Sequence, residues 1–434
     1  MEPVTVIVLA AVFVALLALG APVAVGIGLA ALAAMLTAVD TGPALTTAAQ
    51  RLAAGADSFP LLAIPFFILA GQAMNRGGVA RRIIDFAAAL VGWLPGGLAV
   101  VNVVSAMLFG AISGSAVAAA SGIGGTLGPR MREEGYDPRF SAAVNVTSAT
   151  TGLVIPPSNI LIVYSLASGG VSIAALFAAG YGPGILIGVL LSAVVVIMAA
   201  RGAAGAGTRA IVPMTELPRR TLAALPGLGL IVVVIGGILG GVFTATEAAA
   251  VAVVYALALG LFYRDLKFAD LPSLLRDSAR TTSVVLLLVA TSYALSWVLS
   301  FGNVPQAVSE ALLALGDNPL LVLLLINALL LIVGTFMDMT PAVLVFTPIL
   351  LPAAVELGID PIHFGVMMVL NLCVGLCTPP VGTVLFVGCG VANVRVEQVI
   401  GRLLPFYAAM VVGLLLVIAV PDISLALPRW LGFS

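Results

Sequence analysis

The chain has 434 residues, of which 62% are hydrophobic and only 9% are charged, and its formal net charge is −1. Soluble domains carry about 25% charged residues, so this composition indicates an integral membrane protein. The nearly neutral charge excludes a nucleic-acid-binding protein, which needs a concentrated basic surface.

Two apolar runs open the chain, one from Val4 and one over 22–39. Only Glu2 precedes them as a charge, and the chain stays apolar afterwards, so we predict two spanning helices and not a cleaved signal peptide. The stretch 46–58 is expected to lie along the outer membrane face. The stretch 80–93 mixes arginines with isoleucines, which is typical of a helix along the cytoplasmic interface.

Eleven residues recur in order in the rest of the chain, 223 or 224 positions apart. The first copy has Pro95, Gly110, Pro129, Glu133, Gly135, Asp137, Pro138, Phe140, Gly152, Pro156 and Pro157. The second copy has Pro319, Gly334, Pro352, Glu356, Gly358, Asp360, Pro361, Phe364, Gly375, Pro379 and Pro380. Duplicated halves that are interrupted by Gly and Pro at matching places are typical of secondary transporters.

Arginine placement predicts that the two copies have opposite orientations. The loop of the first copy carries Arg130, Arg132 and Arg139, whereas the equivalent loop over 352–361 contains no Arg or Lys. Cytoplasmic loops are enriched in basic residues, so the two loops should lie on opposite sides of the membrane. We therefore predict inverted repeats.

This orientation requires a re-entrant hairpin in each copy, over 95–128 and 319–351. From Pro95 to Gly110 the helix would measure about 24 Å, less than the ~30 Å hydrocarbon core. The turns are expected at Ser113-Gly114-Ser115 and over 337–341, and the two tips should meet at mid-membrane.

A Pro-Pro pair breaks the helix that follows each hairpin. Proline has no amide proton, so Pro156 and Pro379 should leave the carbonyls of Gly152 and Gly375 unpaired. An unpaired carbonyl is costly in the membrane unless it lines a cavity or binds an ion. A kink that serves packing alone is the alternative. The symmetry of the two breaks, and the nearby polar side chains of Ser158, Asn159 and Thr378, favour a cation site.

The region between the copies predicts two connecting helices, over 221–242 and 244–263. Glu247 is expected in the first turn of the second helix, where its charge complements the helix dipole. The three cysteines lie in apolar surroundings, which indicates a structural role and not metal or disulfide chemistry. They are Cys373, Cys377 and Cys389.

Four segments resemble the large membrane subunit of the tripartite ATP-independent periplasmic (TRAP) transporters: Phe109–Ser115, Pro156–Asn159, Gly334–Pro341 and Gly375–Gly382. The resemblance covers essentially the full length. It implies an all-α polytopic membrane protein of the ion transporter superfamily, located in the bacterial inner membrane, that works as an elevator. It also implies sodium-coupled import of a small organic acid delivered by a periplasmic substrate-binding protein. A small four-helix membrane subunit is the other implied partner. We expect it to be a separate chain, because no such segment precedes Met1.

The resemblance further implies two sodium sites and a substrate site between the hairpin tips. The first sodium site would comprise Ser113, Gly334, Gly375, Thr378 and Val381. The inverted repeat places the second at Gly110, Gly152, Ile155, Ser158, Asp338 and Thr340. The expected substrate-binding residues are Ser113, Gly114, Ser115, Pro157, Ser158, Asn159, Met339, Thr340 and Thr383. Sodium is a hard cation, which suits these oxygen ligands.

The predicted organisation has five parts. Residues 1–94 form the N-terminal scaffold helices and interfacial arm, and 95–168 form the first repeat core. Residues 169–318 form connecting and scaffold helices, 319–392 form the second repeat core, and 393–434 form a C-terminal interfacial segment and the last spanning helix.

Two other functions are compatible with some of these features. A stand-alone cation-coupled carboxylate symporter of the same superfamily would share the hairpins but would need no binding protein. An intramembrane hydrolase is disfavoured, because Asp338 is the only acid predicted at the relevant depth. The only histidine, His363, is expected at the surface beside Pro361, and a metal hydrolase would lack ligands.

Overall fold

Five α-helices precede the first repeat. A computed structural model describes residues 3–202, 216–314 and 318–433, and within these ranges the chain is helical with no β-strand. The helices are α1 (Pro3–Ala18), α2 (Val23–Ala38), α3 (Thr41–Ala56), α4 (Ala63–Arg76) and α5 (Val79–Val91). The predicted pair of apolar helices corresponds to α1 and α2. A 57° bend near Phe59 separates α3 from α4.

Each repeat core consists of a helical hairpin followed by a broken helix. The first core comprises α6 (Gly97–Ser113), α7 (Ala116–Glu133), α8 (Pro138–Ala149), α9 (Thr151–Val154) and α10 (Asn159–Ala167). The second comprises α16 (Pro319–Phe336), α17 (Met339–Glu356), α18 (Pro361–Leu376) and α19 (Thr383–Ala392). The predicted breaks at Pro156-Pro157 and Pro379-Pro380 are confirmed, and both Pro-Pro bonds are cis.

The remaining helices connect and follow the two cores. They are α11 (Ile173–Ala200), α12 (Leu217–Leu239), α13 (Ala245–Phe262), α14 (Leu271–Phe301), α15 (Val304–Leu313), α20 (Val396–Ala419) and α21 (Asp422–Trp430). In the described ranges, seven helices are long and apolar enough to cross a membrane, or nine if each of two bent pairs counts as one span. The chain is therefore a polytopic membrane protein.

Local residue chemistry explains both hairpin turns. Gly114 adopts a left-handed conformation (φ +61°), which glycine tolerates without a steric penalty, and the Ser115 hydroxyl accepts a hydrogen bond from the Ala118 amide at 3.3 Å. In the second hairpin, the Asp338 carboxylate accepts from the Met339 amide at 2.9 Å. The predicted turn over 337–341 was too long, because Thr340 and Pro341 lie in the first turn of α17. Proline fits there since the first amides of a helix have no intrahelical partner.

The structural repeat is longer than the eleven matched residues. Helices α5 and α15 both precede a hairpin, and each begins after a residue in the left-handed conformation, Gly78 (φ +70°) or Asn303 (φ +50°). Similar buried hydrogen bonds also join each hairpin to its broken helix. The Ser148 hydroxyl donates to Asn102 Oδ1 at 2.9 Å, and Asn371 Nδ2 donates to the Oδ1 atom of Asn327 at 2.8 Å.

Two hydrogen bonds give the relative direction of the two cores. The Tyr164 hydroxyl, near the end of α10, donates to the carbonyl of Pro361 at the start of α18, at 2.6 Å. Arg132, near the end of α7, donates from Nη2 to the carbonyl of Ala392 at the end of α19, at 3.1 Å. The broken helix of each core therefore runs from the base of its own hairpin to the base of the other hairpin. The two hairpins thus open towards opposite ends of the molecule.

Ion pairs stabilise the end of the molecule that carries the base of the first hairpin, α6 and α7, which we call hairpin one; α16 and α17 form hairpin two. Arg130 lies 3.7 Å from Asp85, and Arg402 lies 3.1 Å from Asp137. Partial burial alone would raise the pKa of the Asp137 carboxyl. The hydrogen bonds from Arg139 and the charges of Arg139 and Arg402 outweigh that effect, so the pKa is lowered. Asp137 therefore stays ionised at the base of hairpin one.

The opposite directions of the hairpins predict the result of a labelling experiment. Single cysteines would replace the exposed Arg132 and Glu356 in a background without the three buried native cysteines. A membrane-impermeant thiol reagent should label Glu356→Cys in intact spheroplasts, and Arg132→Cys only after the membrane is opened, because basic loops stay in the cytoplasm. The control is Arg81→Cys in α5, beside hairpin one, which should also be labelled only after the membrane is opened. Labelling of Arg132 and Glu356 from the same side would contradict the inverted arrangement.

Candidate functional site

The tips of the two hairpins line one cavity of about 310 Å³, which we call the tip cavity. Hairpin one contributes Ser113, Gly114 and Ser115, and hairpin two contributes Asp338, Met339 and Thr340. Because the hairpins open towards opposite ends of the molecule, their tips can only meet in its interior. The cavity therefore lies between the two repeat cores, where the sequence predicted a site.

Both broken helices also reach this cavity. Asn159 and Thr383 are the first residues of α10 and α19, and both line the tip cavity. The positive ends of two helix dipoles thus face the same space. The Asn159 amide packs on the hairpin tip, since a Cβ atom added to Gly114 would lie 2.8 Å from Asn159 Nδ2. This arrangement offers amide and hydroxyl donors to an anion.

Most residues of the predicted substrate set come together here. Seven of the nine line the tip cavity: Ser113, Gly114, Ser115, Asn159, Met339, Thr340 and Thr383. The other two, Pro157 and Ser158, are buried behind Asn159. The Ser158 hydroxyl donates to the Leu153 carbonyl at 2.5 Å, across the break in the helix. In this structure Ser158 thus forms a hydrogen bond across the break and does not line the cavity.

Pairs of equivalent glycines hold each hairpin against its broken helix. A Cβ atom added to Gly152 would lie 2.2 Å from the Cα atom of Gly110. In the second core, a Cβ atom added to Gly375 would lie 2.6 Å from the carbonyl carbon of Gly334. Both contacts join backbone to backbone, so a side chain at Gly110, Gly152 or Gly375 would separate the helices, whereas a Cβ atom at Gly334 would make a tight contact at 3.2 Å. The glycines of the two predicted sodium sites therefore also have a packing role.

Four residues of the first predicted sodium set, Gly334, Gly375, Thr378 and Val381, lie at or near the second of these contacts and are not among the residues that line the tip cavity. The Thr378 hydroxyl donates to the Val374 carbonyl at 2.7 Å, which leaves its oxygen lone pairs available. The Val381 amide donates to the Thr335 carbonyl at 3.2 Å, which attaches the break to α16. Ser113 lies on the wall of the tip cavity together with Leu376, the residue after Gly375.

The prediction of an unpaired carbonyl at the second break was wrong. Pro379 was expected to leave the Gly375 carbonyl unpaired, but that carbonyl accepts a hydrogen bond from the Thr378 amide at 2.9 Å. The chain forms a tight turn before the two prolines. The Thr378 amide therefore takes the place of the amide proton that Pro379 lacks. A carbonyl has two lone pairs, and the second one can still contact a cation.

The second predicted sodium set divides between two places. Gly110, Gly152, Ile155 and Ser158 lie around the contact of hairpin one with its broken helix, whereas Asp338 and Thr340 lie at the tip of hairpin two. The Gly110 carbonyl accepts from the Gly114 amide at 2.8 Å, at the end of α6. The tip cavity is the space that separates the two groups.

Residues of α4 and α14 also line the tip cavity, and the sequence analysis did not identify them. Gly71, Gln72 and Asn75 come from α4, and Thr281 comes from α14. A Cβ atom added to Gly71 would lie 2.7 Å from the Ser113 carbonyl oxygen, so α4 touches the tip of hairpin one directly. Gln72 and Asn75, three residues apart in a helix that is otherwise apolar before its final Arg76, were the available signal, because polar residues within membrane helices mark functional sites.

Three smaller predictions have mixed outcomes. The predicted position of Glu247 in the first turn of its helix is confirmed, and its carboxylate also accepts a hydrogen bond from the Thr244 amide at 2.8 Å. The three cysteines are buried and form no disulfide, as expected for structural residues. The surface position of His363 was wrong. This side chain is 2% exposed and its Nδ1 atom lies 2.7 Å from the Ser424 hydroxyl, because α21 covers the start of α18.

Comparison with known proteins places this architecture in a family. The family model "Tripartite ATP-independent periplasmic transporter, DctM component" matches residues 10–423. The chain belongs to this family. It is 50% identical to "Uncharacterized protein YgiK" of Salmonella typhimurium over 98% of this chain and 97% of that protein. It is 42% identical to the C4-dicarboxylate TRAP transporter large permease protein DctM of Pseudomonas aeruginosa over 89% of this chain and 90% of that protein.

A solved structure shares the fold. The crystal structure of the Alcanivorax borkumensis YdaH transporter superposes with a TM-score of 0.61, at 16% identity, over 91% of this chain and 90% of that one. Family membership confirms that the chain is a TRAP permease component, located in the inner membrane, and not an enzyme.

The glycine contacts of this TRAP permease predict a difference between two substitutions in one core. Gly152→Ala should lower the melting temperature or abolish folding, because the added methyl would overlap the backbone of Gly110, and overpacking costs about 1–3 kcal/mol or more. Gly125→Ala in α7 is the control, because a Cβ atom there has no neighbour within 4 Å. It should be neutral or stabilise by about 0.5–1 kcal/mol. Thermal unfolding of the purified protein in detergent measures both, and equal stability of the two variants would refute the contact.

Proposed function

We propose that this TRAP permease imports a small organic acid together with sodium ions, that the acid binds in the tip cavity, and that the sodium ions bind beside it. The single observation that carries the proposal is the meeting of two hairpin tips and two helix N-termini in one cavity. Two glycine contacts of the same form flank that cavity. Family membership supports a transport role, and the Pseudomonas aeruginosa relative is the large permease of a C4-dicarboxylate transporter.

The chemistry of the cavity favours a carboxylate substrate. No basic side chain is among its lining residues in the described part of the chain, and Asp338 is the only acidic one. An anion would therefore be bound by the N-termini of α10 and α19, by the Asn159 amide and by hydroxyl groups. The charge of a nearby sodium ion would strengthen this binding, which gives a physical reason for coupled transport.

The oxygen atoms around the cavity suit sodium. The hydroxyls of Ser113 and Thr378 and the carbonyl of Gly375 are hard ligands, and the described residues contain no cluster of three or more His, Cys, Asp or Glu that would favour a transition metal. We propose the first site at Ser113, Gly334, Gly375, Thr378 and Val381. The second would use Gly110, Gly152, Ile155 and Ser158 with the Asp338–Thr340 tip.

We also propose that both hairpins are re-entrant. Their bases lie at opposite ends of the molecule while their tips share one cavity, so neither tip would reach the far membrane surface. In an elevator cycle the two repeat cores would move together against the helices outside them. The contact of Gly71 in α4 with Ser113 would then have to break in each cycle.

The partners follow from the same proposal. A periplasmic binding protein would deliver the acid, and a small four-helix membrane subunit would complete the transporter. The alternative is a stand-alone cation-coupled carboxylate symporter. The two differ in whether uptake needs the binding protein.

Uptake in proteoliposomes tests the function. With the small subunit and the cognate binding protein present, uptake of the labelled acid should require an inward sodium gradient, because the anion in the tip cavity and the ion beside it stabilise each other. Replacing sodium with choline, or omitting the binding protein, should reduce uptake to background. Uptake that is unchanged without the binding protein would support the stand-alone symporter. Uptake that is unchanged in sodium-free buffer would exclude sodium coupling.

A substitution at the second break tests the first sodium site. Thr378→Val removes one ligand oxygen with little change in shape, so the sodium concentration for half-maximal uptake should rise roughly five- to tenfold, equivalent to about 1–1.4 kcal/mol. Thr126→Val is the control, since the Thr126 hydroxyl also donates within its own helix, to the Gly122 carbonyl at 2.9 Å, but lies outside the predicted set. Identical sodium dependence in the two variants would remove Thr378 from the site.

A further inference from the structure

A second polar cavity of about 330 Å³ lies between α3, α10, α14 and α17. We call it the Arg51 cavity, after the only charged residue among its lining residues in the described part of the chain. Helix α14 contributes its polar wall, and α17 contributes an apolar one. The residues that matter for its chemistry are Arg51, Tyr293, Ser296, Trp297 and Ser300.

The Arg51 cavity lies towards the base of hairpin two. It is lined by Leu166 and Ala167 at the end of α10, close to Tyr164, which contacts Pro361. Helix α17 faces the tip cavity with Met339 and the Arg51 cavity with Leu344. Helices α10, α14 and α17 therefore contribute walls to both cavities. By the arginine asymmetry of the hairpin bases, this end of the molecule faces the periplasm.

One helix connects the two cavities. On α14, Thr281 lines the tip cavity, and Ser292, Ser296 and Ser300 line the Arg51 cavity. The spacing of four residues places these serines on one helix face, and about 22 Å separates Thr281 from Ser296 along the axis. The close packing of Gly55 in α3 against Ala290 and Tyr293 keeps Arg51 beside the outer half of α14.

The two cavities differ in charge. The tip cavity contains a carboxylate and no basic side chain, whereas the Arg51 cavity contains a guanidinium and no acidic side chain among the residues that the structure describes. Within the described ranges, no carboxylate lies within 4 Å of Arg51. A guanidinium with free donors beside serine and tyrosine hydroxyls is suited to bind a carboxylate. Trp297, stacked on Phe301 with ring centroids 5.0 Å apart, adds a flat apolar wall for a carbon skeleton.

We propose that the Arg51 cavity is a receiving subsite, in which the carboxylate of the incoming substrate pairs with Arg51 before the substrate reaches the tip cavity. This inference rests on the proposed import of an organic acid. The tip cavity has no basic side chain among its described lining residues, and Arg51 instead attracts the anion at the outer end of the molecule. At that position Arg51 does not hold the substrate after hairpin two has moved. The serines on α14 supply neutral donors along the wall that leads inward.

Trp297 provides a direct readout of this subsite. The chain has three tryptophans, and Trp93 and Trp430 are exposed, so phenylalanine at both positions leaves Trp297 as the only indole. This protein, in lipid nanodiscs and sodium-free choline buffer of constant ionic strength, is titrated with succinate, gluconate and propionate, and with neutral sorbitol. Because a guanidinium pairs with carboxylates of different carbon skeletons, at least one of the three carboxylates should change the Trp297 fluorescence saturably. Sorbitol, which has no charge, should not.

Substitutions at Arg51 identify the charge partner. Arg51→Gln should raise the apparent dissociation constant at least tenfold, and Arg51→Lys should raise it by less because the charge is kept. The control is Arg81→Gln, on the exposed face of α5, which should leave it unchanged. The absence of a saturable response to all three carboxylates, or equal binding by Arg51→Gln and the parent, would overturn the proposal.

A parallel uptake assay separates this inference from the function on which it rests. If sodium-driven uptake is intact while Trp297 does not respond, the subsite is refuted and the import function stands. If Trp297 responds through Arg51 while uptake is independent of sodium, the subsite stands and the coupling is refuted. In the uptake assay, Arg51→Gln should slow transport at low concentrations of loaded binding protein and leave the saturated rate unchanged.

Discussion

The contact of backbone with backbone at two pairs of glycines is the constraint on which the rest of this structure depends. Gly110 meets Gly152 in the first core, and Gly334 meets Gly375 in the second. Without side chains between them, each hairpin lies directly against its broken helix, and the tip of the hairpin reaches the level of the break. Small residues permit such close approach in membranes, where burial of apolar surface gives little driving force for helix association. The tip cavity exists because both contacts are made.

Hydrogen bonds within the cores satisfy some of the polar groups that this arrangement buries, whereas others, such as the Ser105 hydroxyl and Asn371 Oδ1, have no hydrogen-bond partner in the described part of the chain. Ser148 and Asn371 occupy equivalent positions in the two repeats, and their partners, Asn102 and Asn327, lie one position apart in the repeat register. Each hydrogen bond joins the first helix of a hairpin to the following broken helix, close to the glycine contact. In hydrocarbon an unpaired polar group costs several kcal/mol, so these bonds disfavour separation of the hairpin from its helix. This coupling lets a hairpin and a broken helix act as one rigid unit.

Charge is arranged along the molecule in a way that fits directed transport of an anion. Ion pairs involving Arg130 and Arg402 gather at the base of hairpin one, and Asp137 is kept ionised there. The tip cavity has helix N-termini in place of basic side chains among its described lining residues, and Arg51 lies in a separate cavity between α3, α10, α14 and α17. A strong permanent ion pair at the central site would bind the anion in every state and hinder release. Under the proposed function, helix dipoles and a bound cation would give weaker binding that depends on the ion.

The sequence by itself determined the repeat, its inversion, the position of both breaks and most of the residues at the hairpin tips. These features have local causes, because proline interrupts a helix wherever it stands and arginine in a loop orients the neighbouring helices. Only the tertiary structure decided which distant surfaces meet. It placed Gly71 against Ser113, buried His363 under Ser424, gave the Gly375 carbonyl a partner and moved Ser158 behind the cavity. Such contacts depend on how helices far apart in the chain pack together, and no local pattern encodes that packing.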